Sequence, residues 1–216
     1  MISSPHTVSD VMTHTVVSVG RDAAFKEIVE LMRQWRVSSL PVLEGEGRVI
    51  GVVSEADLLP KEEFRDSDPS HLPLHRLSDV AKAGAVTAGE LMSTPAVTVH
   101  ADTTLAQAAR IMALRKVKRL PVVDRVGILE GVVSRSDLLK VFLRPDAELA
   151  AVVNRTVVAV LFPDQAVTAS VQDGVVTFSG PMRDRTLAPV AVRLAHAVEG
   201  VVDVRIDLTA PAAPPR

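Results

Sequence analysis

No cysteine and no tyrosine occur in the 216 residues, and the aromatic complement stops at five phenylalanines and one tryptophan. Without thiols there is neither a disulfide frame nor a thiolate metal site. With so few rings the core has to be built from Val, Leu, Ile and Ala, which the 47% hydrophobic content supplies. Charge of one sign is also lacking: a formal net charge of −2 exerts no global pull on nucleic acid or anionic lipid, so no nucleic-acid partner is expected. There is no long hydrophobic run either. The most apolar stretch, residues 150–162, is broken by Asn154 and Arg155 and is too short to span a bilayer. The first eleven residues show no basic region leading into an apolar one, and a cytoplasmic protein is the default expectation. The six histidines, His6, His14, His71, His75, His100 and His196, fall in no metal-ligand spacing, and no nucleophile elbow or phosphate-cradling Gly-rich loop is present. These gaps predict a non-catalytic protein that requires no metal and no cofactor.

What the chain does contain is an internal repeat. Residues 11–59 align with 91–139 at a constant offset of 80 and without a gap: Met12 on Met92, Val17 on Val97, Val19 on Val99, Asp22 on Asp102, Met32 on Met112. Leu40-Pro41-Val42 falls on Leu120-Pro121-Val122, and Gly51-Val52-Val53-Ser54 with Asp57-Leu58-Leu59 falls on Gly131-Val132-Val133-Ser134 with Asp137-Leu138-Leu139. Each copy reads as strand, helix, strand, strand, helix. Val97 and Val99 alternate as in a strand, Asp102 or Thr104 can cap the helix, and Leu105, Ala108, Ile111 and Met112 recur at helical spacing; Phe25, Ile28, Met32 and Trp35 do the same in the first copy. A unit this small cannot bury both faces alone, so the copies should pack on each other.

Both copies resemble the CBS motif, and the pair resembles a Bateman module, over residues 7–60 and 86–143. The resemblance rests on Gly-x-x-Ser-x-x-Asp at a strand-to-helix junction and on the Leu-Pro-Val upstream of it. It implies a site for an adenine nucleotide, AMP, ADP or ATP, in the cleft between the repeats. In the family the Asp holds the ribose and the Ser the phosphate side, roles that fall on Ser54 and Asp57 in the first copy and on Ser134, Ser136 and Asp137 in the second, with Ala56 replacing the middle Ser of the first. Polar or basic residues ahead of Leu-Pro contact phosphate, which points to Lys118 and Arg119 and, more weakly, to Ser38 beside Ser39; adenine should rest on Val17 and Val97. The chemistry is sound, because a helix N-terminus offers unpaired N–H groups to an anion and a carboxylate can accept from two sugar hydroxyls. The same Ser-x-x-Asp pattern, however, also forms a capping box that merely starts a helix, and cations such as Arg115 and Lys116 also offset a helix C-terminus.

Residues 61–85 read as a linker, a solvated tether. Beyond Arg144 the pattern changes: a helix from Pro145, a strand over 167–171, an Asp173-Gly174 turn, a second strand over 175–178, a second helix with Pro189 near its start and Thr186 as cap, and a last strand alternating Val202, Val204, Ile206 and Leu208. This αββαβ order resembles a BON domain over residues 146–209, followed by a tail at 210–216. The expected fold is thus α/β of the α+β kind: two CBS repeats packed as a Bateman module, plus a small BON-like domain. The resemblances imply a regulatory protein that binds a nucleotide, forms a homodimer through its CBS repeats, and signals through the BON domain to a protein partner or a phospholipid surface. An adapter that dimerises and docks without binding nucleotide is the alternative.

Overall fold

The computed structural model describes residues 6–65, 77–163, 166–182 and 184–209, which divide between two units, Thr7–Asp137 and Leu138 onward together with His6. In the first unit the repeat is realised in both copies, with one difference in the leading strand. The first copy contains β1 (Val19–Gly20), α1 (Phe25–Trp35), β2 (Ser39–Glu44), β3 (Arg48–Ser54) and α2 (Glu55–Leu58), with its strands in the order β1-β2-β3. A short α3 (Pro60–Glu63), α4 (Leu77–Gly84) and α5 (Ala88–Leu91) come next. The second copy has α6 (Leu105–Arg115), β4 (Arg119–Val123), β5 (Leu129–Ser134) and α7 (Arg135–Leu139). In place of the strand expected at Val97 and Val99 it has a single parallel bridge from Val99 to Val122. Thr104 is the residue that caps α6, accepting from the Gln107 N–H at 3.3 Å. Both long helices stop the same way, on a basic residue in the left-handed region, Arg36 at φ 52° and Lys116 at φ 56°.

Helical spacing puts Ile28 and Met32 of α1 into an aliphatic core with Val19, Leu40, Val42 and Val53. Trp35, expected on the same face, is instead 53% exposed. The core of the first repeat is completed from elsewhere: Ala85, Ala88, Leu91 and Met92 belong to it, although all lie at the approach to the second copy. The bridges show why. Ala24 pairs with Thr87 and Val52 with Ser93, while Thr104 pairs with Thr7 and Val132 with Thr13. Each pair maps onto its counterpart by the offset of 80, so each copy lends its leading segment to the other. At the crossing points the chain approaches too closely for a side chain. A Cβ on Gly51 would lie 2.8 Å from Cγ of Met92, and one on Gly131 would lie 2.8 Å from Sδ of Met12 and 3.0 Å from the Thr13 carbonyl oxygen.

The linker is not a simple tether. Its last part forms α4, which packs on α3, and Ala85 is buried. Lys61 donates to the Ala83 carbonyl at 3.0 Å and places its ammonium 5.3 Å from the centre of the Phe25 ring. The middle of the linker, residues 66–76, lies outside the described residues. At α5 the Glu90 carboxylate accepts from the Val86 and Thr87 N–H groups at 2.8 and 3.1 Å, and these bonds hold it below its ordinary pKa.

In the second unit, α8 (Asp146–Val153) continues through a π-turn (Asn154–Val158) into α9 (Ala159–Leu161). Strands β6 (Thr168–Gln172) and β7 (Val175–Pro181) form a hairpin, α10 (Ala188–His196) follows, and β8 (Asp203–Thr209) joins β7 in parallel. Asp173 and Gly174, both at positive φ, make the hairpin turn, and the Asp146 carboxylate accepts from both of their N–H groups at 2.8 and 2.9 Å. Pro189 sits in the first turn of α10, where its missing N–H costs nothing. Thr186 does not cap that helix: its N–H and hydroxyl donate to Asp184 instead, holding that carboxyl below its ordinary value. The core packs Val153, Val157 and Phe162 against Val176, Phe178, Ala191 and Ala195. Among the described residues no helix is long and apolar enough to cross a membrane.

Candidate functional site

A cavity of about 270 Å³ opens in the repeat unit, just under the range of about 300 Å³ and above typical of small-molecule sites. The first repeat contributes Ser38 and Ser39 from the start of β2, Val52 and Ser54 from β3, and Glu55, Ala56 and Asp57 from α2. The second contributes Ser93, Pro95, Ala96 and Val97 from its leading segment, and Lys116, Val117, Lys118 and Arg119 from the turn between α6 and β4. Of the residues singled out by sequence, the structure brings Ser38, Ser54, Asp57, Val97, Lys118 and Arg119 onto one wall system. Val17 is not among them. It is half-buried against the first repeat's core, because its place in the repeat pattern is that of Val97 and the twofold relation carries it away from this cavity. Ser134, Ser136 and Asp137 lie at the other junction for the same reason.

Both junctions are built as reciprocal caps. Asp57 Oδ2 accepts from the Ser54 N–H at 2.8 Å and from its hydroxyl at 2.6 Å. Asp137 Oδ2 likewise accepts from the Ser134 N–H at 2.9 Å and hydroxyl at 2.5 Å, and Ser134 Oγ is 2.8 Å from Ser136 Oγ. The capping reading of Ser-x-x-Asp is therefore realised, yet at the first junction the same carboxylate faces a cavity. Asp57 is the one charged residue recorded as buried among the described residues, 7% exposed. Its other oxygen is paired with the Lys82 ammonium, and Ser93 Oγ lies 3.2 Å from it.

The electrostatic character of the wall comes from three cations, Lys116, Lys118 and Arg119, facing two carboxylates, Glu55 and Asp57. Because Lys82 compensates Asp57, the excess is positive. Arg119 makes this concrete: one terminal nitrogen of its guanidinium is buried and has no hydrogen-bond partner among the described residues. A guanidinium nitrogen left so is costly, and Arg119 lines the cavity beside Lys116 and Lys118, a cationic wall suited to an anion. Lys82 and Ser93 were missed in the sequence. Lys82 lies in the presumed tether, and Ser93 sits in a segment whose crossing to the other repeat no periodicity reports. The helical spacing of Leu77, Val80 and Ala81 was the available signal for α4.

Comparison with known proteins places these features in a family. The CBS domain model matches residues 8–61 and 88–144, and the BON domain model matches residues 145–211. The uncharacterized protein MJ1426 of Methanocaldococcus jannaschii is 29% identical over 153 residues, which cover 63% of this chain and 90% of that protein. The chloroplastic CBS domain-containing protein CBSX2 of Arabidopsis thaliana is also 29% identical over 153 residues, covering 64% of this chain and 64% of its own length; the chain thus spans less than two thirds of that relative. The crystal structure of CBSX2 in complex with AMP superposes with a TM-score of 0.57 at 31% identity, covering 64% of this chain and 97% of that one. The chain belongs to the CBS-domain family, as two tandem CBS repeats followed by a C-terminal BON domain.

Proposed function

We propose that this protein is a non-catalytic regulatory module that binds an adenine nucleotide, AMP first among AMP, ADP and ATP, in the cavity of its CBS pair. The observation that carries this reading is Arg119, whose guanidinium keeps a buried nitrogen without a partner among the described residues, on the same cavity as a helix-capping Ser and Asp. A ligand suited to this wall carries an anionic group for Arg119 and Lys118, a diol for Asp57, and a flat apolar part for Val97, Pro95 and Ala96. A nucleoside monophosphate has all three. The AMP held by CBSX2 supports the choice. Binding then shifts the arrangement of the module, which acts on a partner of the BON domain, either a protein or a phospholipid surface.

Calorimetric titration with AMP, ADP and ATP tests this on the wild type and on Arg119→Met. Loss of hydrogen bonds between charged groups is expected to cost about 1.5–3 kcal/mol, roughly ten- to a hundredfold in Kd, with a ligand-free melting temperature no lower than that of the wild type. A folded protein that takes up none of the three at millimolar concentration overturns the reading. It would leave a dimerising adapter, for which the exposed Trp35 on α1 and Leu114 on α6 supply apolar surface.

A further inference from the structure

The carboxylate of Asp57 is fully subscribed. It has room for about four hydrogen bonds, and four donors are already on it: the N–H and hydroxyl of Ser54 on Oδ2, and Lys82 Nζ and the Ser93 hydroxyl on Oδ1. The Lys82 side chain is 20% exposed and that of Asp57 is 9% exposed, so the pair is largely withdrawn from water. Lys82 Nζ also lies 3.5 Å from Ser93 Oγ. A ligand diol aimed at this carboxylate has no free lone pair to address. It has to remove a donor, and the donors on Oδ2 are the ones that start α2.

We infer that Lys82 is an internal competitor for the ligand carboxylate of the first site, so that nucleotide binding and the docking of α4 are mutually antagonistic. The inference rests on the nucleotide reading of the cavity. It makes Lys82 a determinant of affinity and α4 the element that reports occupancy. Besides its packing on α2 and α3, α4 is tied down by a contact that does not involve Asp57, Lys61 to the Ala83 carbonyl, and removing that contact loosens the helix while leaving the carboxylate's four donors in place.

Linkage makes the coupling reciprocal. Removing the ammonium tightens ligand binding, and bound ligand loosens the helix. AMP titrations of the wild type, Lys82→Met and Lys61→Met, combined with amide hydrogen exchange over residues 77–84, test both directions. The expected result is an affinity gain of about fivefold or more in Lys82→Met, a gain of the same sign in Lys61→Met, and faster exchange in α4 when AMP is added to the wild type. Equal or weaker AMP binding in Lys82→Met, with the wild type binding, overturns the competition and leaves the nucleotide reading standing. If neither the wild type nor any variant binds AMP, ADP or ATP, both readings fall together.

Discussion

Ser54 and Ser134 stand at equivalent places, and both hydroxyls donate to the Asp three residues on. Only Ser134 has a second hydroxyl beside it, because Ser136 faces it where the first copy has Ala56. At Ser54 the cap thus depends on a single side-chain pair. Ser54→Ala is expected to cost about 1 kcal/mol of stability, read as a lower urea midpoint at constant m-value. At this scale the sequence was informative where chemistry and helix start coincide, since Ser-x-x-Asp names both the cap and the cavity wall. It was silent on Lys82, which reaches Asp57 across 25 positions from a segment whose charges and prolines look like tether.

Among the elements, the long helix of the BON domain shows what a single polar side chain can impose. The sequence reads residues 150–162 as an apolar stretch interrupted by Asn154. The structure shows the interruption to be a π-turn with a purpose. Asn154 donates to the Ala150 carbonyl at 2.8 Å and to the Ala169 carbonyl at 2.6 Å, and it accepts from the Ala169 N–H at 3.0 Å. Among the described residues strand β6 pairs only with β7, so Ala169 would otherwise present open-edge groups in a buried place. Asn154→Leu is expected to lose about 2–3 kcal/mol, because buried donors and acceptors are then left unsatisfied; denaturant unfolding monitored at Phe and backbone signals measures it. Hydrophobic spacing located both helices and the hairpin of this domain. It did not locate the π-turn, whose cause lies in a strand fifteen residues away.

Across the repeat unit as a whole, the offset of 80 read from sequence foretold two copies packed together but not the exchange of their leading segments. Periodicity says which face of an element is apolar. It does not say which copy that face meets. The exchange also accounts for Gly51 and Gly131, which the sequence offered only as part of a motif: Met92 and Met12 cross directly over them. Gly51→Val forces that crossing apart and is expected to cost about 1–3 kcal/mol by overpacking, seen as a lower melting temperature, with Gly131→Val behaving alike. The same exchange bears on ancestry. A lone repeat would have an unplaced lead and a bare β3 edge at Val52, and a second copy of itself would mend both by the same reciprocal loan. Joining two such copies into one gene therefore demands no new interface, only a connector from the end of one copy to the lead of the other. Residues 61–85 join the two copies here, and their last part forms the helix that carries Lys82.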